Sequence, residues 1–502
     1  MVAATICGVV GIEGRAPTGT RKAWITWVAG FVLAFGSLLG WAFASSPGSS
    51  PDDDFHLVST WCALGPRDGI CEPGATAGTR EVPAAVVAAT CNAQQMALSS
   101  ACTLVRDPSE MTTVDRGNWG GLYPPVYYAV TGIFASPDVG ASTIAIRAFN
   151  SLLFLAVVGL LLIIGPPMLR RFAVVAPIVT AIPLGAFIIA STNPSSWAVA
   201  SALAVSGSLI LLPRVSGWRQ WAAAGLAVVG ALIGAGARAD SAVATIVAVV
   251  VALVLGLRRD RASILLACAG AAAVAVAALF LLGAAQSAAA ATGLGAGPPT
   301  SAGSFVDAVR TVLTEVPQLL VGVFGVWALG WFDAPVGALV WVAASAVFAV
   351  AMWTALRHLD WRRSTALAIA AIGVYGYPLA LLVQSRAPVG ELVQPRYVLP
   401  LIVVLAVTAL ASRPVMSDVA GLRSAQRWLP VAGLAAANAV ALRTTIHRYT
   451  TGSGDPATSG GEWWWPGSGI FSPTVTWLLA AAAFAGLLVL LAWRRRAEAP
   501  LD

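Results

Sequence analysis

Residues 23–44 read AWITWVAGFVLAFGSLLGWAFA, an uncharged apolar run preceded by Arg21 and Lys22 and followed, a few residues on, by Ser50-Pro51-Asp52-Asp53-Asp54-Phe55-His56. At ~1.5 Å of rise per residue such a helix matches the ~30 Å hydrocarbon layer of a bilayer. The rest of the chain repeats the theme: 58% of its 502 residues are hydrophobic, 11% are charged, and mean hydropathy is +0.79. That much apolar surface exceeds what a soluble core hides, so the expected fold is an all-α polytopic membrane protein.

The net charge of +7 comes from arginine, since Lys22 is the single lysine. The arginines cluster between apolar runs, at Arg170/Arg171, Arg214/Arg219, Arg258/Arg259/Arg261, Arg357/Arg362/Arg363, Arg413/Arg423/Arg427 and Arg494/Arg495/Arg496. They form no continuous patch, which argues against a nucleic-acid partner. Placing every cluster in the cytoplasm satisfies the positive-inside rule with one alternating topology of about twelve spans. These are 23–44, 140–165, 173–191, 196–213, 220–237, 241–257, 262–284, 335–356, 364–385, 397–412, 428–443 and 473–493. Both termini then lie inside the plasma membrane, 1–22 being a cytoplasmic tail before an uncleaved anchor, and the long first loop, 46–139, lies outside. The expected units are that tail, a transmembrane core over 23–412 and a C-terminal hairpin over 413–502 with a Trp-rich outer loop. Within it Trp463–Trp465 read as interface anchors or, second, as a sugar-stacking platform. Residues 305–332 are expected to lie along the outer interface, because Pro317 and the flanking Asp307, Glu315 and Asp333 disfavour a crossing.

Three consecutive carboxylates and a histidine just beyond a membrane helix are costly unless solvated, paired or used in chemistry. In one reading Asp52 caps a helix; in the other the cluster is a catalytic or metal site, and the two are compatible. The same loop holds Cys62, Cys71, Cys91 and Cys102, which suggests two disulfides in an oxidising compartment. Zinc is the competing reading, but spacings of nine, twenty and eleven residues do not resemble paired knuckles. Of the three connectivities, Cys62 with Cys71 and Cys91 with Cys102 is favoured, provided that the helix after Pro83 ends before Cys102. A continuous helix would hold that second pair ~16 Å apart.

Asn118-Trp119-Gly120-Gly121-Leu122-Tyr123-Pro124-Pro125-Val126-Tyr127-Tyr128 opens an apolar stretch too short to span, read as a re-entrant or interfacial helix, or else as an aromatic belt. Arg147 and Asn150 lie one turn apart, Asn193-Pro194-Ser195-Ser196 caps a span, Arg238-Ala239-Asp240 joins two apolar runs, and Glu391, Gln394, Pro395, Arg396 and Tyr397 open a later span. All fall on the side of Asp52–Asp54. An arginine near hydrocarbon needs a carboxylate or a phosphate. Asp240 is the ready partner for Arg238, whereas Arg396 has only Glu391 nearby and is read as a phosphate contact. His358 and His447 have no local ligands and read as loop residues.

Taken in order, the acid motif after the first span, YPPVYY, RxxN, NPSSW, GWFDAP and QPRYVLP resemble a family of multi-spanning actinobacterial membrane proteins grouped with the GT-C glycosyltransferases. The similarity runs from the first span through QPRYVLP. It implies inverting transfer of a sugar from a polyprenyl-phosphate donor to a glycan or other cell-envelope acceptor at the outer face, sometimes with a divalent cation. An acid of the first outer loop then acts as base or orients the acceptor. Carried onto this chain, the acids are Asp52, Asp53 and Asp54, with Asp53 favoured and Asp54 and His56 in support. Arg396 and Arg238 would meet the departing phosphate, and Tyr123, Tyr127, Arg147, Asn193, Asp240, Glu391 and Tyr397 complete the substrate-binding set. His56 departs from patterns with a second carboxylate there, so no metal ligand is named. The rivals are a transporter or flippase of a lipid-linked glycan, which would place ionisable groups near the midplane, and a non-catalytic scaffold binding a partner through the disulfide loop.

Overall fold

A computed structural model describes residues 18–104, 107, 109–285, 305–385, 389–390, 393–452, 463–465 and 472–497. It is an all-α bundle of the expected class. In chain order the helices are α1 (Thr18–Phe43), α2 (Asp53–Cys62), α3 (Val126–Thr131), α4 (Val139–Ile164), α5 (Phe172–Ala181), α6 (Leu184–Ile189), α7 (Ser195–Leu211), α8 (Trp218–Ala237) and α9 (Ser241–Gly256). There follow α10 (Arg261–Gly283), α11 (Phe305–Glu315), α12 (Pro317–Val321), α13 (Ala338–Leu356), α14 (Trp361–Ser385), α15 (Pro395–Leu410), α16 (Arg413–Ala420), α17 (Ser424–Thr451) and α18 (Pro473–Ala497).

Among the described residues nine helices are long and apolar enough to cross a membrane: α1, α4, α7, α8, α10, α13, α14, α17 and α18. The other three expected spans are present in altered form, for physical reasons. Span 173–191 is broken between α5 and α6 at Ile182-Pro183, where proline withholds an amide donor. Span 241–257 is the sixteen-residue α9, which rises only ~24 Å. Span 397–412 is α15, which meets α16 at a bend of 85°. Residues 305–332, expected along the interface, hold α11, α12 and a π turn over Gly322–Val326 in which Gly325 takes φ 104°, none of them long enough to cross a membrane. Val316, Leu319, Val323 and Phe324 are buried in the main core, while Val306, Leu313 and Val326 are exposed.

Helix α7 is the axis of the bundle, buried along its whole length and packed by α4, α8, α9 and α15. Its small side chains let neighbours approach closely: a Cβ added to Gly234 of α8 would lie 2.2 Å from the Ser201 hydroxyl. The last two helices pack on each other, with α18 also against α1 and α17 against α13.

The first loop is a compact cap. It carries α2, several 3₁₀ turns and a three-stranded antiparallel sheet of β1 (Glu72–Pro73), β2 (Arg80–Pro83) and β3 (Met111–Val114) in the order β1-β2-β3. Strands this short leave no alternation to read in advance. Cys62 bonds Cys71 and Cys91 bonds Cys102, with Cα separations of 5.2 and 6.2 Å. The second bond is reachable because 3₁₀ turns over Ala84–Val86 and Ala88–Cys91 replace a continuous helix. Leu57, Val58, Trp61, Val82 and Val86 pack with Val139 and Ile146 of α4, seating the cap on the bundle.

Two expectations fail at the end of α17. This helix runs through Thr451, so His447 lies in a helix and not in a loop. Trp464 and Trp465 are buried against Tyr449, and Trp465 Nε1 donates to the Phe43 carbonyl at 2.8 Å. They are core residues, not bilayer anchors or a sugar platform.

Candidate functional site

The first loop turns into α2 through Asp52, which adopts left-handed φ 58° and ψ 23°. Its carbonyl accepts from the amides of Phe55 and His56 at 3.0 and 2.9 Å, so it occupies the N-cap position. The side chain, however, does not cap. Its carboxylate accepts from Arg396 Nη2 at 2.5 Å, pairing the first loop with the start of α15. Burial pushes the Asp52 carboxyl up, but the charges of Arg396, His56 and Arg116 outweigh it and hold the group below its ordinary value.

Asp53 turns inward. Its Oδ2 accepts from the Ser50 amide at 3.0 Å and the Thr192 hydroxyl at 2.8 Å, while Oδ1 is buried without a partner. The residue has no exposed surface, whereas the Asp52 side chain is 32% exposed. Asp53, favoured from the sequence as the group facing the acceptor, is therefore closed off, and Asp52 is the open carboxylate. Asp54 pairs with Arg116, whose guanidinium lies over Phe55. His56 shares a hydrogen bond with the Tyr128 hydroxyl through Nδ1 at 2.8 Å and leaves Nε2 buried and unpartnered. Tyr123 stands edge-on to the imidazole at 5.2 Å.

Burial raises the Asp53 carboxyl to about 6, against the opposing Arg147 charge and the hydrogen bonds from Thr192 and Ser50. Burial also lowers His56 to about 3, with Asp52 opposing and Arg396 and Arg238 adding to the shift. The signs are opposite. Asp53 holds a proton more tightly folded than unfolded, so its contribution is present below about 3.8 and is lost as pH rises through about 6. His56 holds one less tightly, so its contribution is present above about 6.5 and is lost as pH falls from there towards 3. Where the two ranges overlap, from about 3.8 to about 6, they oppose each other. Melting curves in detergent should therefore tilt when either partner is removed. His56→Gln should lose stability as pH rises from 4 to 6, by on the order of 1 kcal/mol per unit, and Asp53→Asn should lose it as pH falls. Parallel profiles for wild type and both variants would refute the opposition.

The basic residues differ in what remains free. Arg147 directs Nη1 to the carbonyls of Ala42 and Ser45, both at 2.7 Å, and Nη2 to that of Ser46 at 3.0 Å. It terminates α1 and is not open to a ligand. Asn193 donates to the Pro51 carbonyl at 2.8 Å, and Tyr127 donates to that of Thr192 at 2.6 Å; both hold the turns beneath the acids. Arg238 grips Asp240 through Nε and Nη2 at 2.9 and 2.7 Å and reaches Ser195 through Nη1 at 3.4 Å. The sequence-local partner thus occupies it. Arg396 keeps two donors, Nε and Nη1, buried without a partner, where Arg147 leaves only its Nε so. Both guanidiniums lie against the Tyr397 ring, at 4.5 Å for Arg238 and 4.9 Å for Arg396. Glu391, read as the local acid for Arg396, lies outside the described residues.

Beside Arg396 lies a narrow cleft, with Leu184, Phe187, Trp327 and Phe332 as its apolar wall and Gln394 and Arg396 as its polar end. Among the described residues no three His, Cys, Asp or Glu side chains converge as a cation site would require. Asp52, Asp53 and Asp54 each accept through Oδ2, from Arg396, Thr192 and Arg116 respectively.

A second buried charge cluster escaped the sequence reading. Arg448 of α17 pairs with Asp333 of GWFDAP at 2.8 Å and also donates to the carbonyls of Asn92, Gln95 and Leu98. Tyr449 adds bonds to Asp333 and to the Ser49 carbonyl, both at 3.3 Å. The GWFDAP motif was the available signal, but its aspartate read only as a flanking charge.

Set against known proteins, residues 35–405 match a family described as Predicted membrane protein (DUF2142). No curated protein and no solved structure matches the chain.

Proposed function

The chain belongs to that membrane protein family, and from this premise we propose that it is a GT-C-type glycosyltransferase moving a sugar from a polyprenyl-phosphate donor to a cell-envelope acceptor. The observation that carries the reading is the Asp52–Arg396 pair, which joins residues 344 apart beside a cleft where Arg396 still has two unpartnered donors. An acid and a phosphate-binding cation within one contact are what such a transfer requires. The apolar wall suits a polyprenyl chain and the arginine its phosphate.

In the reaction the acceptor hydroxyl oxygen attacks the anomeric carbon opposite the phosphate. The new carbon–oxygen bond forms as the bond to the phosphate oxygen breaks, the hydroxyl proton passes to Asp52, and polyprenyl phosphate departs with the electron pair, its charge met by Arg396. Asp53, Asn193 and Tyr127 position this turn, Asp54 and His56 support the neighbouring rings of Phe55, Tyr123 and Tyr128, and the Arg238–Asp240 pair braces Tyr397. The site end is placed outside the cell, with both termini in the cytoplasm. Supporting that orientation are the two disulfides, which need an oxidising compartment, and the arginine clusters, which then fall inside.

The test is reconstitution in vesicles with a labelled polyprenyl-phosphate sugar and an envelope glycan acceptor. A new glycosidic bond is expected. Movement of the labelled lipid across the bilayer without such a bond would replace this reading with that of a flippase.

A further inference from the structure

Among the described residues Arg396 is the one basic side chain lining the cleft, and which of its donors are free matters. A guanidinium offers two forks to an oxyanion, Nε with Nη2 along its side and Nη1 with Nη2 at its tip. Both forks use Nη2. In this structure Nη2 is engaged by the Asp52 carboxylate at 2.5 Å and contacts the Tyr397 hydroxyl at 3.0 Å, while the nitrogens left over, Nε and Nη1, belong to different forks. With Nε and Nη1 buried, a phosphate can grip Arg396 in a fork only by taking an Nη2 hydrogen from Asp52 or from the Tyr397 hydroxyl, and Asp52, the charged partner and 32% exposed, is the one an anion repels.

We propose that the Asp52–Arg396 pair is an exchange latch: a phosphate monoester entering the cleft displaces Asp52 from Arg396 Nη2, so that the carboxylate is released to an acceptor only once the donor phosphate is bound. The latch rests on the transferase reading above and adds an order to it, donor before acceptor. With Arg396 held by Asp52, the acid is neutralised by its neighbour and is a poor proton acceptor. With Arg396 turned to phosphate, the same acid stands unpaired beside the reacting centre. Two details make the exchange workable. Asp52 sits at the end of a turn whose backbone is fixed independently, by its own carbonyl receiving the Phe55 and His56 amides and by Asn193 holding Pro51. Its carboxylate can thus move without unwinding α2. Arg396 is supported on the Tyr397 ring, so it need not follow Asp52.

Binding of a polyprenyl monophosphate, carrying no sugar, to purified protein in nanodiscs tests the latch without any turnover. Asp52→Asn removes the competing charge, and asparagine tolerates the left-handed backbone. It should bind the phosphate more tightly than wild type, on the order of tenfold. Asp52→Gly, which also suits a positive φ, should do the same and serves if the first variant folds poorly. Arg396→Gln should lose binding. Unchanged or weaker binding in both Asp52 variants, with Arg396→Gln still defective, would overturn the latch and leave the phosphate site standing. Wild-type affinity in Arg396→Gln would overturn the phosphate site itself, and the latch with it.

Discussion

Asp52→Asn is expected to lower the rate of sugar transfer by about 10²- to 10⁴-fold, the usual worth of a positioned proton acceptor. The loss should fall on kcat, because the amide keeps the size of the carboxylate and can still accept from Arg396, so the fold and the donor site persist. The donor KM should stay level or fall. The comparison that decides the assignment is Asp53→Asn, which alters a fully buried group bonded to Ser50 and Thr192. It should lose activity only to the degree that it loses stability. Wild-type turnover in Asp52→Asn, or a collapse confined to Asp53→Asn at unchanged melting temperature, would return the catalytic role to the inner acid.

Arg448→Met is expected to destabilise the protein by about 3–5 kcal/mol, the cost of leaving one member of a buried ion pair uncompensated. Arg448 and Asp333 are 2% and 1% exposed, so water cannot stand in for the missing partner. The variant also strips donors from the carbonyls of Asn92, Gln95 and Leu98. Thermal unfolding in detergent should show the loss, and limited proteolysis should now cut within residues 92–98. Replacing both partners, Arg448→Met with Asp333→Leu, should recover part of the stability, since an apolar pair needs no counter-charge, but not the loop carbonyl contacts. A loss below about 1 kcal/mol, typical of exposed pairs, would show that the cluster is solvated in the working protein.

The residues that could be read in advance were those whose environment is set by neighbours in the chain. Hydropathy located the helices because crossing a bilayer is a property of a contiguous run, and Asp240 was nameable as the partner of Arg238 because it lies two residues away. The Cys62–Cys71 and Cys91–Cys102 bonds were favoured from loop length and geometry. What could not be read depends on who meets whom across hundreds of residues. Arg396 was given Glu391 as its only acid because Asp52 is distant in sequence, and Asp52 was given a capping role that its own side chain does not perform. Arg147 looked available because arginine does not announce that backbone carbonyls at the end of α1 will engage it. An aromatic run such as Trp463–Trp465 has the same composition at a membrane interface and in a core, so the burial of Trp464 and Trp465 has no local signature.

The clamp between Arg448 and the disulfide-closed turn also sets a timetable for biosynthesis. Gln95 precedes Arg448 by 353 residues, so at ~5–20 residues per second the ribosome needs roughly 20–70 s to make the anchor after the turn has emerged. Throughout that interval the only covalent restraint on the turn is the Cys91–Cys102 bond, which needs nothing made later. Oxidation can thus come first, gathering the carbonyls of Asn92, Gln95 and Leu98 into one arc, and the penultimate helix arrives as a key to a lock already cut. A nascent chain kept reduced would present α17 with a slack strand, and the delay would be visible as a long-lived, protease-sensitive precursor.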